Sequence, residues 1–116
     1  MSQLALLVDG VVTQLFSLDK AKITIGRATN SDICIDDSSV SNNHAVIYVS
    51  PDELLDGHDD ILIEDLQSRN GTLVNDKAVH RCKLRPDDII GIGFNRFKLL
   101  DDLAAGREST VLMVMD

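Results

Sequence analysis

Three short polar segments interrupt the apolar pattern of the strand-like runs: Gly26-Arg27, "SNNH" at 41 to 44, and "SRNGT" at 68 to 72. Their residue types suit the capture of an anion attached to a peptide. Arg27 and Arg69 offer guanidinium forks that match an oxyanion, Ser41 offers a hydroxyl donor, and loop N–H groups can complete an anion cradle. Asn42 and Asn70 each carry an amide that both donates and accepts, which suits holding a peptide main chain. Ser41 and His44 also suggest a nucleophile and base. Yet no G-x-S-x-G elbow surrounds the serine, and no carboxylate is placed by sequence to orient the histidine. His44 opens the apolar run "HAVIYV" and is expected to brace the loop by hydrogen bonds to neighbouring backbone.

The elements that must position these residues read as strands. Glycine and Asx residues punctuate short alternating or β-branched runs, and no stretch repeats apolar residues at helical spacing over a full helix length. Strands are expected near 3 to 8, 12 to 18, 22 to 26, 32 to 35, 44 to 50, 60 to 65, 72 to 75, 78 to 79, 89 to 92 and 95 to 101, with a further one at 110 to 114. Asp9-Gly10 between two such runs signals a type I′ hairpin, because both central positions need φ > 0. "RNGTLVN" at 69 to 75 reads as a tight turn at Asn70-Gly71 with more hydrogen-bonding equipment than a turn needs. Residues 44 to 65 read as a hairpin with a long acidic loop. The start of its first strand lies beside the end of its second, so "SNNH" and "SRNGT" meet at one end and the acidic loop at 51 to 60 lies at the other. The fold class is all-β, a mostly antiparallel β-sandwich with ligand-contacting loops at one edge.

Composition narrows the function classes. The chain has 116 residues, 44% of them hydrophobic, and a net charge of −8. One domain with a single core fits that length. The acidic balance opposes the counterion-release binding of nucleic acid or an anionic membrane, so neither is an expected partner. No apolar run approaches the roughly 18 residues of a membrane span, and the amino-terminal residues lack the pattern of a signal peptide, so a cytoplasmic location is expected. Cys34 and Cys82 form neither a disulfide framework nor a zinc spacing and read as reduced packing residues. The carboxylates at 52 to 60 fit no calcium loop and read as a solvated acidic segment. No metal and no cofactor is implied.

Taken together, "TIGRATNSDICIDDSSVSNNHAVIYV", "IEDLQSRNGTLVN" and "LRPDDIIGIG" resemble a forkhead-associated (FHA) domain, over about residues 3 to 100. The ordered joint occurrence of GR, SxxH and SxNGT carries the resemblance; any one alone is weak. It implies an eleven-stranded sandwich whose loops at one end hold a phosphothreonine, and hence a phosphothreonine-containing protein or peptide as partner. Under it, Arg27 pairs with the phosphate, Ser41 bonds a phosphate oxygen, and Arg69 contacts phosphate by side chain or backbone N–H. Asn70 and Asn42 hold the peptide backbone, while Gly26, His44, Gly71 and Thr72 are architectural. The function implied is a non-catalytic, phosphothreonine-dependent adaptor in Ser/Thr-kinase signalling. A phosphorylation-independent assembly module on the same sandwich is the alternative.

Two departures from the family pattern stand out. Ser39 is neutral where some members carry a charge that selects the third residue after the phosphothreonine. Asn75-Asp76 replaces the usual Asn-Gly turn, which is tolerable because Asp enters the left-handed region more readily than most residues. Residues 1 to 102 are read as the domain and 103 to 116 as a tail. In that tail "TVLMV" has strand-forming residues that would pair with a sheet edge of the same or a neighbouring molecule, and Thr110 raises the rival idea of a self-ligand once phosphorylated. Oligomeric state, flanking-residue preference, kinase and partner identity are not legible in the sequence.

Overall fold

The structure, a computed structural model, describes residues 2–51 and 59–101. Eleven strands follow in chain order: β1 Ser2–Val8, β2 Val11–Ser17, β3 Lys22–Gly26, β4 Ile33–Cys34, β5 Ala45–Pro51, β6 Asp59–Asp65, β7 Thr72–Val74, β8 Lys77–Val79, β9 Arg81–Leu84, β10 Ile89–Ile92 and β11 Asn95–Asp101. They form a six-stranded sheet in the order β2-β1-β11-β10-β7-β8 and a five-stranded sheet in the order β4-β3-β5-β6-β9. Every pairing is antiparallel except β3 with β4. Among the described residues no helix is long and apolar enough to cross a membrane.

Period-two patterning sets the register. In the five-stranded sheet Ile23 faces Ile47, which faces Ile63, which faces Cys82. In the six-stranded sheet Val74, Ile90, Phe97 and Leu6 form one cross-strand row, and Leu99, Leu4 and Phe16 form the next. These rows from both sheets merge into one buried cluster. A one-residue slip of any strand would turn its apolar set outward, so the core fixes the register, and the register fixes where each loop emerges.

Most expected strands are present, and the Asp9-Gly10 turn has φ of 53° and 78°, as a type I′ hairpin requires. Asn75 and Asp76 likewise both take positive φ, 52° and 68°, and close the β7-β8 hairpin. Three sequence expectations need correction. Strand β9 was not expected, because "RCKL" is half charged; yet Arg81 and Lys83 point out while Leu84 is buried, which is the pattern of a charged edge strand. The tight turn expected at Asn70-Gly71 is instead part of a longer crossing, since β6 and β7 lie in different sheets and of the two residues only Gly71 has positive φ. Cys34 is exposed rather than a packing residue, while Cys82 is partly buried against the core. The tail strand at 110 to 114, Thr110 and most of the acidic loop lie outside the described residues.

The parallel β3-β4 pair requires a crossover rather than a tight turn, and that crossover carries Arg27. Asp32 fastens it. Its carboxylate accepts bonds from Lys20 Nζ, from Thr24 N–H at 2.9 Å and from Thr24 Oγ1 at 3.1 Å, while its own N–H donates to Thr24 Oγ1 at 2.9 Å. The Lys20 ammonium, with help from the Thr24 amide, lowers the Asp32 pKa from 3.8 to about 2. Because the folded value lies below the unfolded one, the contribution is present above pH 3.8 and is lost as the pH falls through about 2. Urea titrations between pH 4.5 and 1.5 are expected to show wild type losing stability in that window, with a shallower acid slope for Asp32→Asn.

Candidate functional site

The β3-β4, β4-β5 and β6-β7 loops converge at one end of the sandwich. Arg27 N–H donates to the Ser41 carbonyl at 3.0 Å and Ala28 N–H to the Asn42 carbonyl at 3.3 Å. This close approach explains Gly26: a Cβ there would sit 2.0 Å from the Asn42 carbonyl oxygen, so only glycine lets the two backbones meet. Gly71 is required for a different reason. Nothing lies near its Cβ position, but its φ of +81° is strained for any L side chain.

His44 ties the two remaining loops together. It is completely buried; Nδ1 accepts the Ser41 N–H at 3.1 Å and Nε2 lies 2.8 Å from the Gly71 carbonyl oxygen. A carbonyl can only accept, so the Nε2–H tautomer is assigned. Both ring nitrogens therefore serve backbone, and neither reaches the Ser41 hydroxyl as a base. Ser41 and His44 are neighbours without being a catalytic pair.

Asp65, at the end of β6, organises the loop from below. It accepts from Ser68 Oγ at 2.5 Å, Ser68 N–H at 3.2 Å and Thr72 Oγ1 at 2.8 Å. Thr72 is buried, and this bond satisfies its hydroxyl. Sequence reasoning passed over Asp65, although the Asp-x-x-Ser spacing is a signal of a side-chain-closed turn. The equipment around Asn70-Gly71 is thus what a chain needs to cross between sheets with its polar groups satisfied.

The outward-facing polar groups of these loops remain. Ser41 Oγ accepts from Arg69 N–H at 3.0 Å, which commits one lone pair and leaves the hydroxyl proton free to be donated. The Arg69 N–H is thereby engaged, so the side chain is the part of Arg69 open to an anion. Asn70 Nδ2 donates to the Ser39 carbonyl at 2.8 Å, which orients its Oδ1 as an acceptor. The Asn42 side chain makes no hydrogen bond among the described residues. Arg27 is exposed and unpaired among them, and the Asp32 carboxylate that could have neutralised it is taken by Lys20.

Arg27, residues 38 to 42 and Arg69 wall a depression of about 140 Å³; Asn70 adjoins it through its bond to Ser39 without lining it. The chain carries 19 acidic residues, yet this wall contains two arginines and no carboxylate. A larger concavity of about 520 Å³ crosses the open face of β5, β6 and β9. Its wall mixes Asp60, Glu64, Arg81 and Lys83, with Lys83 already 3.1 Å from Asp60, so it offers no uncompensated charge of one sign.

The family model for the FHA domain matches residues 23–93. This chain belongs to the FHA family. The FHA domain of the CT664 protein of Chlamydia trachomatis superposes with a TM-score of 0.76 at 29% identity, over 86% of this chain and 96% of that one. EmbR of Mycobacterium tuberculosis, solved in complex with a low-affinity phosphopeptide, aligns with a TM-score of 0.72 at 29% identity over 86% of this chain and 24% of its own. Among curated sequences, the glycogen accumulation regulator GarA of M. tuberculosis is 35% identical over 85 residues, 73% of this chain and 47% of its own length. The chain thus spans about half the length of curated relatives such as GarA.

Removing the imidazole would leave the Ser41 N–H and the Gly71 carbonyl without partners and open a cavity. His44→Ala is expected to lower unfolding free energy by about 2–4 kcal/mol in urea melts. Ser41→Ala, which loses one exposed-edge hydrogen bond, is expected to cost no more than about 1 kcal/mol. Equal melting of His44→Ala and wild type would contradict the bracing role.

Proposed function

We propose that this chain is a non-catalytic module that binds phosphothreonine-containing proteins or peptides in Ser/Thr-kinase signalling. The observation that carries this reading is the small carboxylate-free depression, in which two arginines flank a serine whose proton is uncommitted. In this reading Arg27 pairs with the phosphate, Ser41 donates to a phosphate oxygen, and the Arg69 guanidinium adds a second cation. Asn70 Oδ1 and the Asn42 amide hold the peptide main chain. The complex of EmbR with a phosphopeptide and a family structure described as serving phosphothreonine-dependent FHA interactions support the same chemistry.

The absence of an available base beside Ser41 speaks for binding without catalysis, since both His44 nitrogens are engaged by backbone. A cytoplasmic location accompanies the proposal, because protein kinases draw on cytosolic ATP. Binding through one charged anchor on an exposed peptide is expected in the micromolar range, roughly −7 to −9 kcal/mol. Threonine is expected to be preferred over serine, because its γ-methyl gains about 0.8 kcal/mol on burial and its β-branch restricts χ1 before binding.

Calorimetric titration of matched phosphothreonine, phosphoserine and unphosphorylated peptides tests the proposal. Arg27→Ala is expected to weaken phosphothreonine binding by about 2–4 kcal/mol, through loss of a charge-assisted fork on a partly desolvated anion. Indifference to phosphorylation would favour a phosphorylation-independent assembly module instead.

A further inference from the structure

We propose that Phe94 is a specificity-determining contact of this site, receiving an apolar side chain that lies within about four residues of the phosphothreonine in the bound peptide. The inference rests on the phosphopeptide reading above and adds the residue that selects among phosphopeptides. Phe94 is 89% exposed, more than any other large hydrophobic side chain among the described residues. It occupies the second position of the two-residue Gly93-Phe94 hairpin joining β10 to β11, where Ile92 pairs with Asn95. Gly93 has φ of +61°, so the turn obtains its left-handed residue from the glycine; polar residues commonly follow such a glycine, and turn geometry gives no reason for phenylalanine.

The turn is fastened to the wall of the anion depression. Phe94 N–H donates to Ser39 Oγ at 3.1 Å, and a Cβ on Gly93 would meet that same Oγ at 2.4 Å. Ser39 is itself part of the depression's wall. Its hydroxyl donates to Asp37 at 2.6 Å, and this bond above all holds the Asp37 carboxyl below the usual carboxylate range. Asn95 Nδ2 adds bonds to Asp37 at 3.0 Å and to the Ile92 carbonyl at 3.2 Å. The Ser39 hydroxyl is thus engaged both as donor and as acceptor within the protein and is poorly placed to read a ligand, and the Asn95 Nδ2 is likewise committed. The phenyl ring is what the turn leaves exposed. Carried by a turn that is hydrogen-bonded to Ser39, it contacts a peptide at small conformational cost, and an aromatic next to a polar site is suited to an apolar partner.

The test is an array of phosphothreonine peptides varied at each position from four before to four after the phosphothreonine, probed with wild type, Phe94→Ser and Arg27→Ala. Wild type is expected to favour aliphatic or aromatic residues at one of these positions. Phe94→Ser is expected to bind those peptides about five- to tenfold more weakly, to bind peptides with glycine at that position as wild type does, and to melt like wild type. Phosphate-dependent binding with the same residue profile in Phe94→Ser, or no apolar preference in wild type, overturns this inference alone. Equal binding of unphosphorylated peptides, with Arg27→Ala indistinguishable from wild type, overturns the reading of the site and this inference with it.

Discussion

The buried His44 imidazole is the interaction on which the binding end of this protein depends. One nitrogen accepts from the backbone of the loop before β5, and the other donates to the backbone of the loop before β7. Those loops lead into different sheets, so the ring spans the seam of the sandwich as well as two segments of chain. Its own backbone continues the connection: His44 N–H donates to the Ile25 carbonyl and its carbonyl accepts from Leu66 N–H. A fully buried side chain with every polar atom satisfied is costly to rearrange, which makes the loops around it a rigid frame rather than three independent segments.

On that frame the remaining ties are short and local. Gly26 permits backbone contact between the loops of Arg27 and Asn42; Asp65 closes the turn that presents Arg69 and Asn70; Asp32 holds the crossover beneath Arg27. Each tie uses a carboxylate, hydroxyl or amide that would otherwise have to be satisfied by water, and each leaves another group facing outward. Ser41 is the clearest case, because accepting from Arg69 N–H orients its oxygen while leaving its proton uncommitted. Bonded and free atoms are thus found within the same residue.

Electrostatics follow from this arrangement. A chain with a net charge of −8 presents two arginines around one small depression and keeps carboxylates out of its wall. Asp37 and Asp65, which adjoin the loops that build that wall, are engaged by serine, threonine and asparagine donors. The local sign at the depression therefore opposes the global one, and recognition of an anion is confined to a few ångströms of surface.

The sequence by itself determined the inward-facing rows, because period-two patterning and positive-φ dipeptides such as Asp9-Gly10 act locally. It also brought "SNNH" and "SRNGT" together, since the β5-β6 hairpin leaves no other place for its ends. What it could not reveal is how atoms are shared. That the Arg69 N–H is committed to Ser41 and that "RCKL" is an edge strand depend on partners distant in the chain, whereas the closure of the β6-β7 loop by Asp65 rests on Ser68 and Thr72 just downstream. Phe94 is the sharpest example. In sequence it is one more apolar residue in a β-rich run, and only the pairing of Ile92 with Asn95 and the anchor on Ser39 turn it outward beside the site. Local propensity sets which elements form, whereas long-range hydrogen bonds decide which side chains those elements leave free.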